Sequence, residues 1–339
     1  MARRSRRTGG KQHDTVRVAG RVLPVIERLT VGRRQYLLLE KTGSGDRTRY
    51  KAFDPHAGPE GDLRAILVLP RSPAARQHIR MLKRVSASNV NLPTILEFRV
   101  QGGNLIVVLT WVRGTDLQTY LDDVRASQQP RPGATEAFRL VRGLAHGLAQ
   151  LHRRHAIVHG DIKPANLILA RNPSRLVMID YGSAWGIERT KGRDAGDGLS
   201  RAYAAPELQS GTQTADFRSD QFSASVILYE LLTLERPYDS LGGKAGRPEF
   251  AERMKDKLTL PSRLSPDVAR LPGPFWTELD RVVGTGLSLD AETRYATPGA
   301  WLDQFNRVLI AMQPGPQLTP LNARLTRVVS WLGEKLKRS

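Results

Sequence analysis

The fold is decided by His159-Gly160-Asp161-Ile162-Lys163-Pro164-Ala165-Asn166-Leu167-Ile168-Leu169, which is followed by Asp180-Tyr181-Gly182. The carboxylate of Asp180 and the amide oxygen of Asn166 are hard oxygen ligands of the kind that suits Mg²⁺. Lys163 is a mobile point charge that can reach a nearby anionic group. A simpler explanation is a helix-to-strand turn in which polar side chains only cap backbone groups. The two explanations are separated by whether further motifs follow along the chain.

This stretch resembles the catalytic loop and the D-F-G motif of the eukaryotic-like Ser/Thr protein kinases. The interval from Asp161 to Asn166 matches the family's H-R-D-L-x-x-x-N, and Asp180 stands where D-F-G begins. The resemblance implies that Asp161 accepts the proton of a substrate hydroxyl and that Lys163 reaches the transferring phosphate. It also implies that Asn166 and Asp180 bind Mg²⁺, with ATP as the phosphate donor. Lys163, in D-x-K-P-x-N, resembles the Ser/Thr-directed subclass rather than the Tyr-directed one.

Further matches lie in the second half of the chain. Ala205-Pro206-Glu207 corresponds to the A-P-E motif of the family. Asp220 resembles the Asp that holds the catalytic loop from the following helix, and Arg294 resembles the Arg that pairs with the A-P-E Glu. Ser200 occupies the position that Thr usually holds in the substrate-facing loop, which favours a protein as the substrate.

The resemblance covers about residues 35–312 and implies an α+β fold of two lobes, a small β-rich one and a larger helical one. Hydrophobic periodicity agrees, since it predicts strands up to the hinge connection at 110–114 and helices after it. The predicted helices are 74–85, 116–125, 135–154, 217–234, 275–287 and 298–312. The predicted domains are a basic, partly disordered N-terminal arm (1–32), an N-lobe (33–112), a C-lobe (113–312) and an amphipathic C-terminal extension (313–339).

The small lobe departs from the family. Kinases carry a Lys on the third strand of this lobe, which pairs with the ATP phosphates and with a Glu on the next helix. Alignment places Leu67 where the Lys belongs and His78 near the position of the Glu, so both partners of the ion pair are predicted to be missing. The resemblance still places Ala65, Thr110 and Val112 along the ATP site.

The glycine-rich loop is reduced to Gly43 and Gly45, with Arg47 at the third glycine position. A two-glycine loop is also what an ordinary β-hairpin turn would contain. However, the with-no-lysine kinases move their phosphate-binding Lys to this third position. Arg47, or Lys51 on the same predicted strand, is therefore expected either to supply the missing cation or to lie in solvent.

Gly160 stands in place of the H-R-D Arg. In the family, that Arg binds a phosphorylated activation loop. Its absence predicts activity that does not depend on phosphorylation of the activation loop.

Composition bounds the location and the partners. The 339 residues contain no Cys, which excludes disulfides and thiolate metal sites, and no apolar run is long enough for a membrane span. A cytoplasmic protein is therefore expected. The net charge of +19 is best explained by a solvated surface in an Arg-rich proteome, and the alternative is a field that recruits nucleic acid, anionic lipid or an acidic protein substrate. The sequence has no basic patch interleaved with aromatic residues, which is the pattern that would indicate specific nucleic-acid binding.

Residues 320–338 alternate apolar and basic side chains at helical spacing. Packing back on the large lobe is the favoured arrangement of such a helix, and the alternatives are docking on a partner or weak contact with an anionic membrane.

Two functions from different classes remain. The first is an ATP- and Mg²⁺-dependent protein kinase that transfers the γ-phosphate to Ser or Thr of a protein, and it is favoured by the complete set Asp161, Lys163, Asn166 and Asp180. The alternative is a pseudokinase that acts as a nucleotide-binding scaffold or regulatory module, and it is favoured by Leu67 and His78.

Overall fold

The computed structural model describes residues 14–42, 48–180, 200–209 and 216–313 of the chain. Within these ranges, no helix has both the length and the apolar character needed to cross a bilayer. Strands dominate up to residue 110 and helices dominate beyond it. The predicted α+β class and the order of the two lobes are confirmed.

The N-terminal lobe is built from antiparallel strands. They are β1 (Thr15–Val18), β2 (Arg21–Pro24), β3 (Glu27–Val31), β4 (Arg34–Thr42), β5 (Thr48–Asp54), β6 (Asp62–Pro70), β7 (Ile95–Gln101) and β8 (Asn104–Thr110). Six of them form one sheet in the order β3-β4-β5-β6-β8-β7, and β1 pairs with β2 as a separate hairpin. Because side chains alternate between the faces of a strand, one face of this sheet is directed to the helix and the cleft and the other forms a small core of its own.

The sheet begins earlier in the chain than the domain limit predicted at residue 33. Strand β3 pairs along its whole length with β4, so that limit falls inside the sheet. The hairpin of β1 and β2 packs its apolar side chains around Phe53 and Leu39, which would otherwise face solvent. Residues 1–13 of the predicted basic arm and residues 314–339 of the predicted extension lie outside the described residues.

One helix, α1 (Pro73–Ser86), packs on the sheet and confirms the helix predicted over 74–85. The side chain of Ser72 caps its first turn, and Pro73 stands at the first helical position, where its missing N–H costs nothing. Ile79 and Leu82 on the inner face of α1 are fully buried, in the same hydrophobic core as Leu67 of the sheet.

The C-terminal lobe is mainly helical. Within the described residues its α-helices are α2 (Leu117–Arg125), α3 (Ala134–His155), α4 (Ser200–Tyr203), α5 (Phe217–Thr233), α6 (Pro248–Met254), α7 (Gly273–Gly286) and α8 (Pro298–Ala311). The helices predicted from periodicity are confirmed within one or two residues at each end. Helix α5 is buried along nearly its whole length, and the aromatic rings of Phe217, Trp301 and Phe305 pack edge to face at its N-terminal end. A three-stranded sheet of β9 (Gly114–Asp116), β10 (Leu167–Ala170) and β11 (Arg175–Met178) lies below the cleft and carries the site.

Candidate active site

The segment between α3 and β10 brings three of the predicted site residues together. The side-chain amide of Asn166 donates to the carboxylate of Asp161 at 3.0 Å and to the carbonyl of Asp161 at 2.9 Å. The Nζ atom of Lys163 lies 3.5 Å from the same carboxylate. Both carboxylate contacts come from groups that donate hydrogen bonds, so Asp161 is oriented and its negative charge is stabilised.

The loop is anchored by a buried carboxylate on α5. The backbone N–H groups of His159 and Gly160 donate to the two carboxylate oxygens of Asp220, at 2.7 Å and 2.8 Å. Gly160 has a φ of +70°, a left-handed conformation that a residue without a Cβ adopts at little cost. The predicted contact of Asp220 with the catalytic loop is therefore confirmed. The left-handed backbone at position 160 also explains why a glycine stands there.

His159 is completely buried beside this loop. Burial lowers its pKa to about 4, although the charges of Asp161 and Asp180 oppose that shift. The backbone N–H of Asp161 points at Nδ1 of the ring at 3.4 Å, which requires Nδ1 to be the acceptor. His159 is thus neutral at pH 7 and serves as a fixed support under the carboxylate.

Asp180 lies next to this loop, two residues beyond the end of β11. The backbone N–H of Ile179 donates to the carbonyl of Asn166 at 2.9 Å, which fixes the distance between the two predicted metal ligands. The carboxylate of Asp180 is nearly buried and forms an ion pair with Arg49 of β5, on the opposite side of the cleft. Tyr181 and Gly182 lie outside the described residues.

Arg49 was not predicted as a cation of the cleft; the predicted cations were Arg47 and Lys51, two positions away on either side. Lys51 is described, and its Nζ atom lies 5.2 Å from the centre of the Trp111 ring, toward the hinge connection. Arg47 lies outside the described residues, as do Gly43 and Gly45. The signal was present in the sequence, since residues 47, 49 and 51 fall on one face of any regular strand.

The remaining predicted cleft residues lie on the two central strands and the segment after them. Ala65 of β6 is the register partner of Lys51 and packs against the main core. Thr110 ends β8, and its hydroxyl accepts a hydrogen bond from the backbone N–H of Thr94 at 3.0 Å. Val112 follows, partly exposed. Whether these positions contact a nucleotide stays a prediction.

The family's ion pair between a strand lysine and a glutamate of the next helix is absent at the corresponding positions, which are Leu67 of β6 and helix α1. Leu67 is buried in the main hydrophobic core. Helix α1 contains no Asp or Glu anywhere along its length, so it offers no carboxylate to a cation on the sheet. Helix α1 is therefore held to the sheet by apolar packing.

The predicted pair of Glu207 and Arg294 is confirmed as a two-point ion pair. Two guanidinium nitrogens of Arg294 each donate to a carboxylate oxygen of Glu207 at 2.9 Å. Arg294 is fully buried and also donates to the carbonyls of Ser288 and Arg218 at 2.9 Å and 3.0 Å. Burial alone would raise the pKa of Glu207, but the hydrogen bonds and charge of Arg294 outweigh it and lower that pKa. This pair ties the A-P-E segment to the body of the lobe.

The predicted substrate-facing segment, which begins at Ser200, forms the short helix α4 and is fixed at its end. The hydroxyl of Tyr203 donates to Glu230 of α5 at 2.7 Å, and burial raises the pKa of that hydroxyl. Glu230 is itself buried and pairs with Arg125 of α2. The segment is therefore connected to the same helix, α5, that holds the catalytic loop.

The donor set fits Mg²⁺. Asp180 and Asn166 supply one carboxylate and one amide oxygen, and Mg²⁺ typically uses one or two carboxylates together with water and substrate phosphates. Across the described ranges, no cluster of three or more His, Asp or Glu side chains forms a separate metal cage. Asp180 also has a cation beside it already, which shows that this buried carboxylate requires positive charge.

Comparison with known proteins agrees with this geometry. The family described as the protein kinase domain matches residues 70–294, more than half of the chain, and this match begins after Leu67 and the reduced glycine loop. A probable serine/threonine-protein kinase of Streptomyces coelicolor is 28% identical over 262 residues, which are 73% of this chain and 35% of that protein. Mitogen-activated protein kinase kinase kinase 7 of Homo sapiens is 29% identical over 194 residues, which are 56% of this chain and 31% of that protein.

A third relative, serine/threonine-protein kinase pkn3 of Myxococcus xanthus, is 28% identical over 241 residues, or 66% of this chain and 40% of that protein. The chain thus spans about a third of the length of the first two relatives and somewhat more of the third. The family match includes the catalytic loop, Asp180, the A-P-E segment and Arg294. The chain belongs to the protein kinase domain family.

Proposed function

We propose that this chain is an ATP- and Mg²⁺-dependent protein kinase that transfers the γ-phosphate of ATP to Ser or Thr of a protein. One observation carries the proposal: Asn166 and Lys163 both contact the carboxylate of Asp161. In addition, the backbone N–H of Ile179, the residue before Asp180, donates to the carbonyl of Asn166, so Asp180 is held beside the loop. A protein that had lost catalysis would have no chemical need to keep this arrangement intact.

Each residue has a defined part in this proposal. Asp161, oriented by Asn166 and beside Lys163, accepts the proton of the substrate hydroxyl as its oxygen bonds to the γ-phosphorus and the bond from that phosphorus to the leaving ADP oxygen breaks. Lys163 stabilises the charge on the phosphoryl oxygens. Asn166 and Asp180 would hold Mg²⁺, which neutralises phosphate charge when it is bound.

The kind of substrate is proposed from the names of the relatives and from the substrate-facing segment. The relatives are serine/threonine-protein kinases or a mitogen-activated protein kinase kinase kinase by name, which supports a protein substrate. The net charge of +19 supports an acidic one. Weak contact of the C-terminal extension with anionic membrane, the lack of a specific nucleic-acid partner and a cytoplasmic location remain predictions.

A second function, a nucleotide-binding pseudokinase, is favoured by one specific observation. Arg49 pairs with Asp180, and a cation that stayed there would occupy the carboxylate that a metal ion needs. In that case the cleft would bind a nucleotide without transferring phosphate.

The test is phosphate transfer from γ-labelled ATP in the presence of Mg²⁺ to a mixture of acidic and basic generic proteins. Wild type is compared with Asp161→Asn and with Asp256→Asn, a matched change at an exposed carboxylate on the large lobe. The kinase proposal expects transfer by the wild type and the Asp256 variant, and a loss of at least about 100-fold for Asp161→Asn. Equal transfer by all three proteins, or none by the wild type, would refute it.

A further inference from the structure

The ion pair between Arg49 and Asp180 joins the sheet of the small lobe to the predicted metal ligand in the large lobe. We propose that Arg49 is the residue that binds the phosphates of the nucleotide, in place of the lysine that the family carries at the position of Leu67. This inference rests on the proposed function, since it assumes that the cleft takes ATP or ADP.

The sheet register supports the substitution. Arg49 of β5 and Leu67 of β6 are direct partners in the antiparallel ladder. Paired residues on neighbouring antiparallel strands project to the same face, about 5 Å apart. Moving the cation from 67 to 49 therefore shifts its point of attachment by one strand and leaves it facing the same cleft.

The surroundings of Leu67 explain why the cation cannot stand there. Leu67 is buried in the main core, and α1 carries no acidic residue to neutralise a charge at that position. A lysine at 67 would start inside this apolar core and would find no carboxylate on α1, which makes a charge at that position costly. Arg49 has a carboxylate partner in Asp180, and its side chain is 40% exposed, so it reaches the cleft without being desolvated.

The chemistry of the side chain fits phosphate. A guanidinium offers several N–H donors in a planar fork that matches two phosphate oxygens, and it stays charged at any relevant pH. Arg49 contacts a carboxylate oxygen in this structure, and a phosphate oxygen is an acceptor of the same kind and carries more charge. When a nucleotide enters, Arg49 exchanges Asp180 for phosphate, which makes the carboxylate of Asp180 available to a metal ion.

The direction in which ADP affinity changes when Arg49 is removed separates a phosphate-binding role from a role that only blocks Asp180. If Arg49 binds phosphate, its removal weakens the binding of ADP but not of adenosine, which has no phosphate. If Arg49 only blocks Asp180, its removal strengthens the binding of ADP with Mg²⁺. If it only holds the lobes together, its removal changes both ligands alike.

The experiment is calorimetric titration of the full chain with adenosine and with ADP, each with and without Mg²⁺. The proteins are wild type, Arg49→Ala, Arg49→Gln, Arg49→Lys and the control Arg28→Ala, which removes an exposed arginine of an ion pair on β3 of the same sheet. Circular dichroism and a melting curve show that each variant is folded. A second substitution, Arg49→Gln, keeps the measurement interpretable if Arg49→Ala does not fold.

The expected result for Arg49→Ala and Arg49→Gln is a rise in the Kd for ADP of roughly 10- to 100-fold, from the loss of charge-assisted hydrogen bonds. The Kd for adenosine should change less than about twofold, Arg49→Lys should lie in between, and Arg28→Ala should match wild type. Unchanged or tighter ADP binding, an equal loss for adenosine, or no binding of either ligand by wild type would overturn the proposal. Arg49-dependent ADP binding without phosphate transfer would instead refute the kinase activity and leave this inference standing.

Discussion

Removal of Arg294 tests the packing of the large lobe around its A-P-E segment. The side chain is fully buried, forms two hydrogen bonds to Glu207 and two to backbone carbonyls, and lies over the ring of Phe222. Substitution by Met keeps much of the side-chain volume and removes all four donors. It leaves the largely buried carboxylate of Glu207 without its charged partner, with the hydroxyl of Ser219 still donating to one carboxylate oxygen at 3.0 Å.

Breaking a buried ion pair on one side typically costs about 3–5 kcal/mol. We expect Arg294→Met to lower the free energy of unfolding by that amount, which is a third or more of the total for a typical domain of about 10 kcal/mol. Arg294→Lys should lose about 1.5–3 kcal/mol, because it keeps the charge but not the two-point geometry. The assay is urea unfolding followed by circular dichroism, with the midpoint and the slope both fitted.

The pH dependence has a defined sign. Arg294 lowers the pKa of Glu207 in the folded protein, so the stabilisation by this pair is fully present above the ordinary glutamate pKa of 4.5. That stabilisation is lost as the pH falls through the lower, folded-state pKa. The difference between wild type and Arg294→Met should therefore be largest near pH 7 and shrink below pH 4.5.

The matched control is the exposed pair of Arg281 and Glu278 on α7, where Arg281→Met should cost less than about 1 kcal/mol. A loss for Arg294→Met no larger than for this control would refute the argument. So would a loss of several kcal/mol that stays the same from pH 7 to pH 3.5.

Two further predictions concern the catalytic loop. Asp220→Ala should destabilise the protein by about 1–3 kcal/mol for each of the two backbone N–H groups that lose their acceptor, and it should lower phosphate transfer as the loop loses its anchor. An unchanged urea midpoint for this variant would contradict the stabilising role of the hydrogen bonds from His159 and Gly160 to Asp220. Phosphatase treatment of the purified protein should leave the rate of phosphate transfer unchanged, because Gly160 offers no guanidinium to a phosphorylated activation loop. Abolished transfer after the treatment would count against that prediction.

The catalytic loop could be predicted from sequence because its residues are close together in the chain. Asp161, Lys163 and Asn166 lie within six residues, and a single loop conformation brings them together. The pair of Glu207 and Arg294 is separated by 87 positions, and only the resemblance to a family connected the two. Physical reasoning on the residues alone would have left both as ordinary surface charges.

The contact between the small lobe and Asp180 could not be predicted in the same way. Whether Arg49 or Lys51 of β5 meets Asp180 depends on where the strand lies over the cleft, and β4 shifts its register against β5 between Leu38 and Glu40. That shift changes which pairs face each other, and no local pattern indicates it. Residues 14–32 indicate a strand only weakly, and the hairpin of β1 and β2 could not be predicted from them, since two strands of four residues carry little periodic signal.

The catalytic part proposed for Asp161 is tested by incubating the wild-type protein and Asp161→Asn with γ-labelled ATP and Mg²⁺ and identifying the labelled amino acid in the protein substrate. We expect labelled phosphoserine or phosphothreonine with the wild type and at most about 1% of that amount with the variant. Label that appears equally with both proteins, or only on tyrosine, would contradict it.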